Sequence, residues 1–235
     1  MSKRYLIAAI SVLSVFVPGV AAAQSQPGGT SETGTLINRR SAQIHGESRA
    51  DARLTSKRFG ECSLARAPVA AVQLIDAPVD GPDYDRLIKR VIVDDCLSVG
   101  ELSLPHQVIR GSLFEALYIK EFGHRAPTSL KDVPTFDYSS GYSRPLSGEA
   151  LSVISLAVVG DCVARSAPIA AHELITSIPG SGIEDRAVAV VARLLPGCIP
   201  PKQTVKFSRS VMRASVAEAM YRLSGINRAI DKGDE

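Results

Sequence analysis

The phrase HELIT, which begins with His172 and Glu173, resembles the start of the zinc-protease pattern H-E-x-x-H. In that pattern two histidines one helical turn apart bind zinc, and the glutamate acts as a general base. Here Thr176 stands where the second histidine would be, and the matching positions one hundred residues earlier are Val72 and Gln73. We therefore predict a surface histidine on a structural helix and no metal site.

Motifs of other common catalytic classes do not occur in the sequence. It has no G-x-S-x-G nucleophile elbow, no Walker phosphate-binding loop and no glycine-rich dinucleotide fingerprint. His45, His106 and His124 lie in separate polar segments without regular spacing to one another or to a carboxylate. The sequence therefore predicts no catalytic residue and no cofactor, and it favours a protein that is not an enzyme.

Polar residues that recur at matching places in the two halves of the chain are the best candidates for a site. We expect charged residues inside a helical unit to be structural pairs that fix how helices pack, and a ligand-facing cluster is the alternative. If these residues are structural pairs, we expect Glu115 to meet Arg86 across the bundle. The recurring residues are Asp85, Arg86, Arg110, Glu115 and Tyr118, matched by Asp185, Arg186, Arg213, Glu218 and Tyr221.

These residues belong to a longer internal repeat. The phrase GECSLARAPVAAVQLI, beginning at Gly60, returns as GDCVARSAPIAAHELI from Gly160. The offset is one hundred residues at first and grows by a few residues where a loop would accept insertions. The pattern predicts two tandem copies of one unit of about 75 residues.

The first two helices of each copy are indicated by capping residues and prolines. The first is predicted over Arg49 to Leu64 and over Ser147 to Val163, with Ser147 as the N-cap. The second begins with Pro68 or Pro168, because proline at the first helical position loses no hydrogen bond.

The last two helices are indicated by apolar periodicity. The third contains Tyr84 and Val91 in the first copy, whereas the β-branched run Val188 to Val191 leaves a strand open in the second. The fourth is predicted over Gln107 to Phe122 and over Ser208 to Leu223. The predicted fold is therefore all-α, with two tandem copies of a roughly four-helix, disulfide-stapled unit.

The four cysteines lie outside any metal-binding or C-x-x-C spacing. Four cysteines allow three pairings. We predict that Cys62 pairs with Cys96 and Cys162 with Cys198, because each copy then carries its own bridge. Both second cysteines are expected in loops after the third helix.

The beginning of the chain has the form of a secretory signal peptide. Two basic residues precede an apolar run, and small residues end at Ala23, so we expect residues 1–23 to be removed. Removal leaves 25 of the 27 basic residues against 24 acidic ones, which predicts no nucleic-acid partner. No later segment is long and apolar enough to span a membrane, so a periplasmic or secreted protein is expected.

The remaining boundaries follow from composition. Residues 24–46 are predicted to be a disordered leader, residues 47–123 and 147–228 the two helical copies, and residues 229–235 a polar tail. Residues 124–146 form a proline-rich linker that contains Phe136, Tyr138 and Tyr142. This linker either packs over the seam between the copies or exposes its aromatic rings for recognition of a partner.

The phrases IRGSLFEALYIKEFG and MRASVAEAMYRLSG, preceded by GECSLARAP and GDCVARSAP, resemble those of exported helical tandem-repeat proteins of alphaproteobacteria. The resemblance covers about Gly60 to Gly123 and Gly160 to Gly225. It implies export in a two-membrane bacterium and carries no activity.

These observations favour a non-enzymatic periplasmic protein that binds a protein, peptide or envelope component or acts as a scaffold. Two alternatives remain at this stage. One is an exported hydrolase that uses carboxylates such as Glu115 or Glu218 between the copies. The other is a carrier of a small apolar ligand.

Overall fold

The computed structural model describes residues 49–97, 104–199 and 208–233. For residues 231–233 it describes the backbone alone. The predicted signal peptide, the predicted leader and His45 lie outside these residues. Within them every regular element is a helix, so the predicted all-α class is confirmed. The helices are α1 (Arg49–Arg66), α2 (Pro68–Asp76), α3 (Tyr84–Val91), a 3-10 helix (Asp94–Cys96), α4 (His106–Phe122), α5 (Gly148–Ser166), α6 (Pro168–Thr176), α7 (Gly182–Cys198) and α8 (Arg209–Gly233).

A single alanine separates the first two helices in each half of the chain. Ala67 has φ −133° and ψ 54°, and Ala167 has φ −146° and ψ 68°. The proline that follows each alanine is the first residue of the next helix, as predicted. Because a residue before proline is disfavoured in the helical region, the chain turns sharply at this point.

No single helix in the described part of the chain is long and apolar enough to cross a membrane. Helices α5 and α6 meet the length and composition requirement only together, and they are bent by 116° at their junction.

Two disulfides connect the residues that the sequence predicts. Cys62 is bonded to Cys96 and Cys162 to Cys198, with Cα–Cα distances of 5.5 and 5.6 Å. The predicted loop positions of the second cysteines are wrong. Cys96 ends the 3-10 helix, and Cys198 is the last residue of α7, which continues through Pro196. Pro196 is exposed and lies in the last turn of α7.

Two other predicted elements differ in extent or type. The strand left open around Val188 does not form, because α7 is helical throughout and capped by the Ser181 hydroxyl, which accepts from the Glu184 N–H. Helix α8 continues to Gly233, so most of the predicted polar tail is helical. The Ser147 cap is confirmed, since its hydroxyl accepts from the Ala150 N–H.

Helices α4 and α8 pack against each other more extensively than any other described pair, and α1 and α5 flank them. Leu113 and Phe114 from α4 are buried together with Met220 and Leu223 from α8 in one hydrophobic core. The described residues of both halves belong to one compact unit.

Glycine allows the helix backbones to approach closely at three crossings. A Cβ atom at Gly111 would overlap Ala214, where α4 crosses α8. At Gly60 it would overlap the carbonyl oxygen of Ser112, and at Gly160 that of Ser215. The Gly111 contact brings the polar side chains of α4 and α8 within reach of the opposite half.

Candidate functional site

Arg213 of α8 is the centre of a buried charged cluster. It donates from Nε to Oε2 of Glu115 at 2.8 Å and from Nη2 to Oε1 of the same carboxylate at 2.9 Å. Its guanidinium also donates to the carbonyl oxygens of Ile175 and Ser177 at the end of α6. Arg213 thus satisfies carbonyls that α6 leaves unpaired and joins them to α4.

Three further side chains complete what we call the Arg213 cluster. Lys57 Nζ lies 2.9 Å from Oε1 of Glu115. Arg53 donates to both carboxylate oxygens of Glu184, at 3.2 and 2.9 Å, and Arg213 Nη1 lies 3.4 Å from Glu184 Oε1. Burial alone would raise the pKa of Glu184, but hydrogen bonds from Arg53 and the Gly180 N–H and the nearby guanidinium charges lower it below its usual range.

A second cluster surrounds Arg110 of α4. Arg110 donates from Nη2 to Glu218 of α8 at 2.9 Å and from Nη1 to the carbonyl of Ala77, next to the end of α2, at 2.9 Å. Arg222 also contacts Glu218, at 3.3 Å, and lies over the ring of Phe114. We call Arg110, Glu218 and Arg222 the Arg110 cluster.

The two clusters have reciprocal geometry. In each, an arginine caps the second helix of its own half and bonds a glutamate from the other half, so the two bonds run in opposite directions. The second cluster is less complete: Tyr84 stands at the position that matches Glu184, and Nε of Arg110 has no acceptor within the described part of the chain.

The clusters leave little room for a ligand. The cavity beside the Arg213 cluster measures about 20 Å³, which accommodates about one water molecule. Glu115 and Glu218 are 5% and 7% exposed, and each is bonded to an arginine. The contacts therefore favour a structural role in holding α4 against α8.

The structure places the other recurring polar residues apart from these clusters. The expected contact between Glu115 and Arg86 is wrong, because Arg86 is exposed and pairs with Asp83 at 2.8 Å. Asp85 and Arg186 are also exposed. On the surface Asp185 pairs with Arg209 at 2.6 Å.

The two recurring tyrosines lie near the other end of α4. The Tyr118 hydroxyl lies 2.9 Å from Nδ1 of His172, so this histidine is half-buried and is not a simple surface residue. Tyr221 donates to the carboxylate of Glu121 at 3.3 Å. Among the described residues no group of three or more histidine, cysteine or acidic side chains is placed to hold a metal ion.

The aromatic residues of the linker are engaged with the rest of the chain. Phe136 lies under Arg222 at 4.4 Å from the ring centre, Tyr138 donates to Asp161 at 3.0 Å, and Tyr142 packs against the core. These contacts favour the packed-loop interpretation of the linker over an exposed recognition segment.

Arg165 of α5 fixes the linker backbone. Its guanidinium donates to the carbonyl oxygens of Leu130 at 2.9 Å, Val133 at 2.6 Å and Pro134 at 3.2 Å. Asp161, one helical turn earlier, orients the guanidinium at 2.5 Å. These bonds hold the linker backbone at Leu130, Val133 and Pro134 against α5.

A groove of about 510 Å³ lies where this segment meets the ends of two helices. Its walls are residues 121–122 of α4, residues 124–130 of the linker, and Ser224, Asn227 and Arg228 of α8. We call it the α4–α8 groove. Its volume is within the range of small-molecule binding sites, about 300 to 1,000 Å³.

One wall of the groove is fixed by Arg228. Its guanidinium lies over the ring of Phe122, 3.9 Å from the ring centre, and donates to the carbonyl oxygen of Glu121 at 2.7 Å. The Glu121 carboxylate lies 3.5 Å from the same guanidinium. Arg125, by contrast, is exposed and has no carboxylate partner among the described residues.

Sequence reasoning missed the groove, three of the five residues of the Arg213 cluster and Arg222 of the Arg110 cluster. Arg53, Lys57 and Glu184 have Val153, Ala157 and Tyr84 at their matching positions, so a search for recurring polar residues passes over them. The proline-rich composition of the linker was the one signal that pointed toward the groove.

The chain matches no protein-family model, no curated protein and no solved structure.

Proposed function

We propose that the protein is an exported, non-enzymatic helical binding protein of the periplasm whose ligand occupies the α4–α8 groove. The observation that carries this proposal is the groove itself. It offers about 510 Å³ beside an arginine that has no carboxylate partner among the described residues. An exposed guanidinium at the edge of a concave site is a ready contact for a ligand.

The rigidity of the surrounding structure supports a binding role. Arg165 of α5 holds the linker backbone at Leu130, and Arg228 fixes the end of α4 against α8. A site formed in advance loses little conformational entropy when a ligand binds. The ion pairs of Glu115 and Glu218 favour this role over acid–base chemistry by those two carboxylates.

Export is supported by two independent features. Two disulfides indicate an oxidising compartment outside the cytosol. The sequence of residues 1–23 has the form of a signal peptide. The resemblance of about Gly60 to Gly123 and Gly160 to Gly225 to exported proteins of alphaproteobacteria agrees with a periplasmic location. We further propose that the two halves are tandem copies of one four-helix unit, which the reciprocal clusters support.

Native mass spectrometry of protein recovered from the periplasm tests the proposal. The full chain is expressed in a two-membrane bacterium, and the wild type is compared with Arg125→Gln. We expect both proteins in the periplasmic fraction with both disulfides formed, and a bound ligand mass on the wild type that is reduced in the variant. Cytosolic protein with free thiols, or no ligand mass on the wild type, would contradict the proposal.

A further inference from the structure

We propose that the α4–α8 groove binds a short peptide through its free C-terminal carboxylate, next to an apolar terminal side chain. This inference rests on the proposed function, because it names the ligand class of the same groove. Capture of a terminal carboxylate is an established way of recognising peptides.

Arg125 supplies the group that would bind the carboxylate. A guanidinium presents parallel N–H donors that match the two oxygens of a carboxylate. The other groove arginine, Arg228, is already committed to Glu121 by an ion pair at 3.5 Å and a carbonyl bond at 2.7 Å. Arg125 has no such partner in the described part of the chain, so its donors remain for a ligand.

The charge of the groove selects a monoanion. Its ionised side chains at neutral pH are Arg125, Arg228 and Glu121, which gives one excess positive charge when His124 is neutral. A single carboxylate balances that charge. A phosphate dianion would exceed it and would also meet repulsion from the Glu121 carboxylate.

The walls of the groove suit the remainder of a peptide. Ala126 and Pro127 offer apolar contact for a terminal side chain. Thr128 and Ser129 are exposed, and their hydroxyls can both donate to and accept from a peptide group. A site with one cation, an apolar wall and hydroxyl groups therefore matches each part of a peptide terminus.

A titration followed by NMR tests this inference. The full exported protein, with both disulfides intact and labelled with nitrogen-15, receives N-acetyl-alanyl-phenylalanine as the free acid. Parallel samples receive the same dipeptide as its C-terminal amide, or inorganic phosphate. We expect the acid to shift amide signals of residues 121–130 and 224–228, and the terminal amide to bind at least about tenfold more weakly, which corresponds to about 1.4 kcal/mol.

Two variants with the same substitution provide the comparison. Arg125→Gln should weaken binding of the acid by at least about tenfold and leave binding of the terminal amide unchanged. Arg58→Gln is the matched control, because Arg58 is likewise exposed but lies on α1 and does not line the groove. We expect the control to bind the acid as the wild type does.

Each of three results would overturn the inference. Equal binding of acid and amide would show that the carboxylate is not recognised, and phosphate binding as tight as the acid would show a general oxyanion site. Absence of shifts in the groove would exclude the peptide class. In any of these cases, the proposed function would still be supported if wild-type protein from the periplasm carried a ligand mass that Arg125→Gln lacked. Only the peptide ligand class would then be wrong.

Discussion

Arg213 and Glu115 form a buried pair joined by two hydrogen bonds, of 2.8 and 2.9 Å, that connects α8 with α4. Both side chains are almost fully excluded from solvent, with 5% and 6% of their surface exposed. The reciprocal pair Arg110 and Glu218 connects the same two helices at 2.9 Å. Together the two pairs fix the register of α4 relative to α8.

Glu115→Gln should lower the free energy of unfolding by about 3 kcal/mol. The substitution keeps the shape of the side chain but removes the closest negative charge from Arg213 and Lys57. Arg213 then keeps only the longer contact to Glu184 and Lys57 only the exposed Glu61, and a poorly compensated buried charge is costly. Chemical denaturation at neutral pH measures the change. The control is Asp83→Asn, which removes a solvent-exposed ion pair with Arg86 and should cost about 1 kcal/mol or less. An unchanged denaturation midpoint for Glu115→Gln would contradict the structural role.

Gly111→Ala should destabilise the protein by about 1 to 3 kcal/mol, because the added methyl group overlaps Ala214 and forces α4 and α8 apart. The matched control is Gly225→Ala, also in a helix interior. No atom lies within 4 Å of a Cβ built there, so the substitution should instead raise stability by about 0.5 to 1 kcal/mol. If the melting temperatures of Gly111→Ala and Gly225→Ala changed in the same direction, the close approach of α4 and α8 at Gly111 would be contradicted.

Replacing Cys62 and Cys96 together by serine should cost about 4 kcal/mol. The bridge closes a loop with a sequence separation of 34 residues, and loop-closure entropy gives this value before any strain. Removal of the Cys162–Cys198 bridge should cost nearly the same, since its separation is 36 residues. Denaturation of both double variants measures the two costs. A much larger loss for one of them would show that the bridges do more than close loops of similar length.

Stability should fall through His172 as the pH drops below about 6.5, the pKa of histidine in the unfolded chain. Burial lowers the pKa of this histidine, because the imidazolium form is desolvated, while the charge of Glu173 acts in the opposite direction. Above the unfolded value of about 6.5 the imidazole is neutral in both states, and the contribution of His172 is complete. As the pH falls below 6.5 toward the lower pKa that His172 has in the folded protein, the unfolded chain takes up a proton that the folded protein does not.

The measurement compares the free energy of unfolding of the wild type and of His172→Gln at about pH 8 and pH 5. The advantage of the wild type should be larger at pH 8, because only a neutral imidazole can accept the Tyr118 hydroxyl at Nδ1. An equal difference at both pH values would show that protonation of His172 is not coupled to folding.

Local signals predicted much of the fold. Pro68 and Pro168 each begin a helix, because the missing N–H costs nothing at the first helical position. Ser147 caps a helix because its hydroxyl reaches an N–H three residues later. The disulfide pairing followed from the internal repeat. By contrast, Cys198 was expected in a loop after the third helix, whereas α7 continues through Pro196 to Cys198.

The candidate site was far less predictable because it depends on tertiary contacts. Glu115 and Arg213 are 98 residues apart, and they meet only because Gly111 lets α4 approach α8. Recurrence along the sequence identified both residues but gave Glu115 the wrong partner. Arg125 gave no signal at all, since its importance comes from a neighbour, Arg228, that is already bonded elsewhere.

The reciprocal bonds of Arg110 and Arg213 mean that each half of the chain supplies a buried glutamate to an arginine of the other. Arg213 also contacts Glu184 of its own half at 3.4 Å, but its shorter bonds, of 2.8 and 2.9 Å, go to Glu115. A proteolytic cut in the linker would therefore not release two free-standing pieces. The fragments would stay together as a noncovalent complex, because separation would expose the apolar α4–α8 contact and break both ion pairs between the halves.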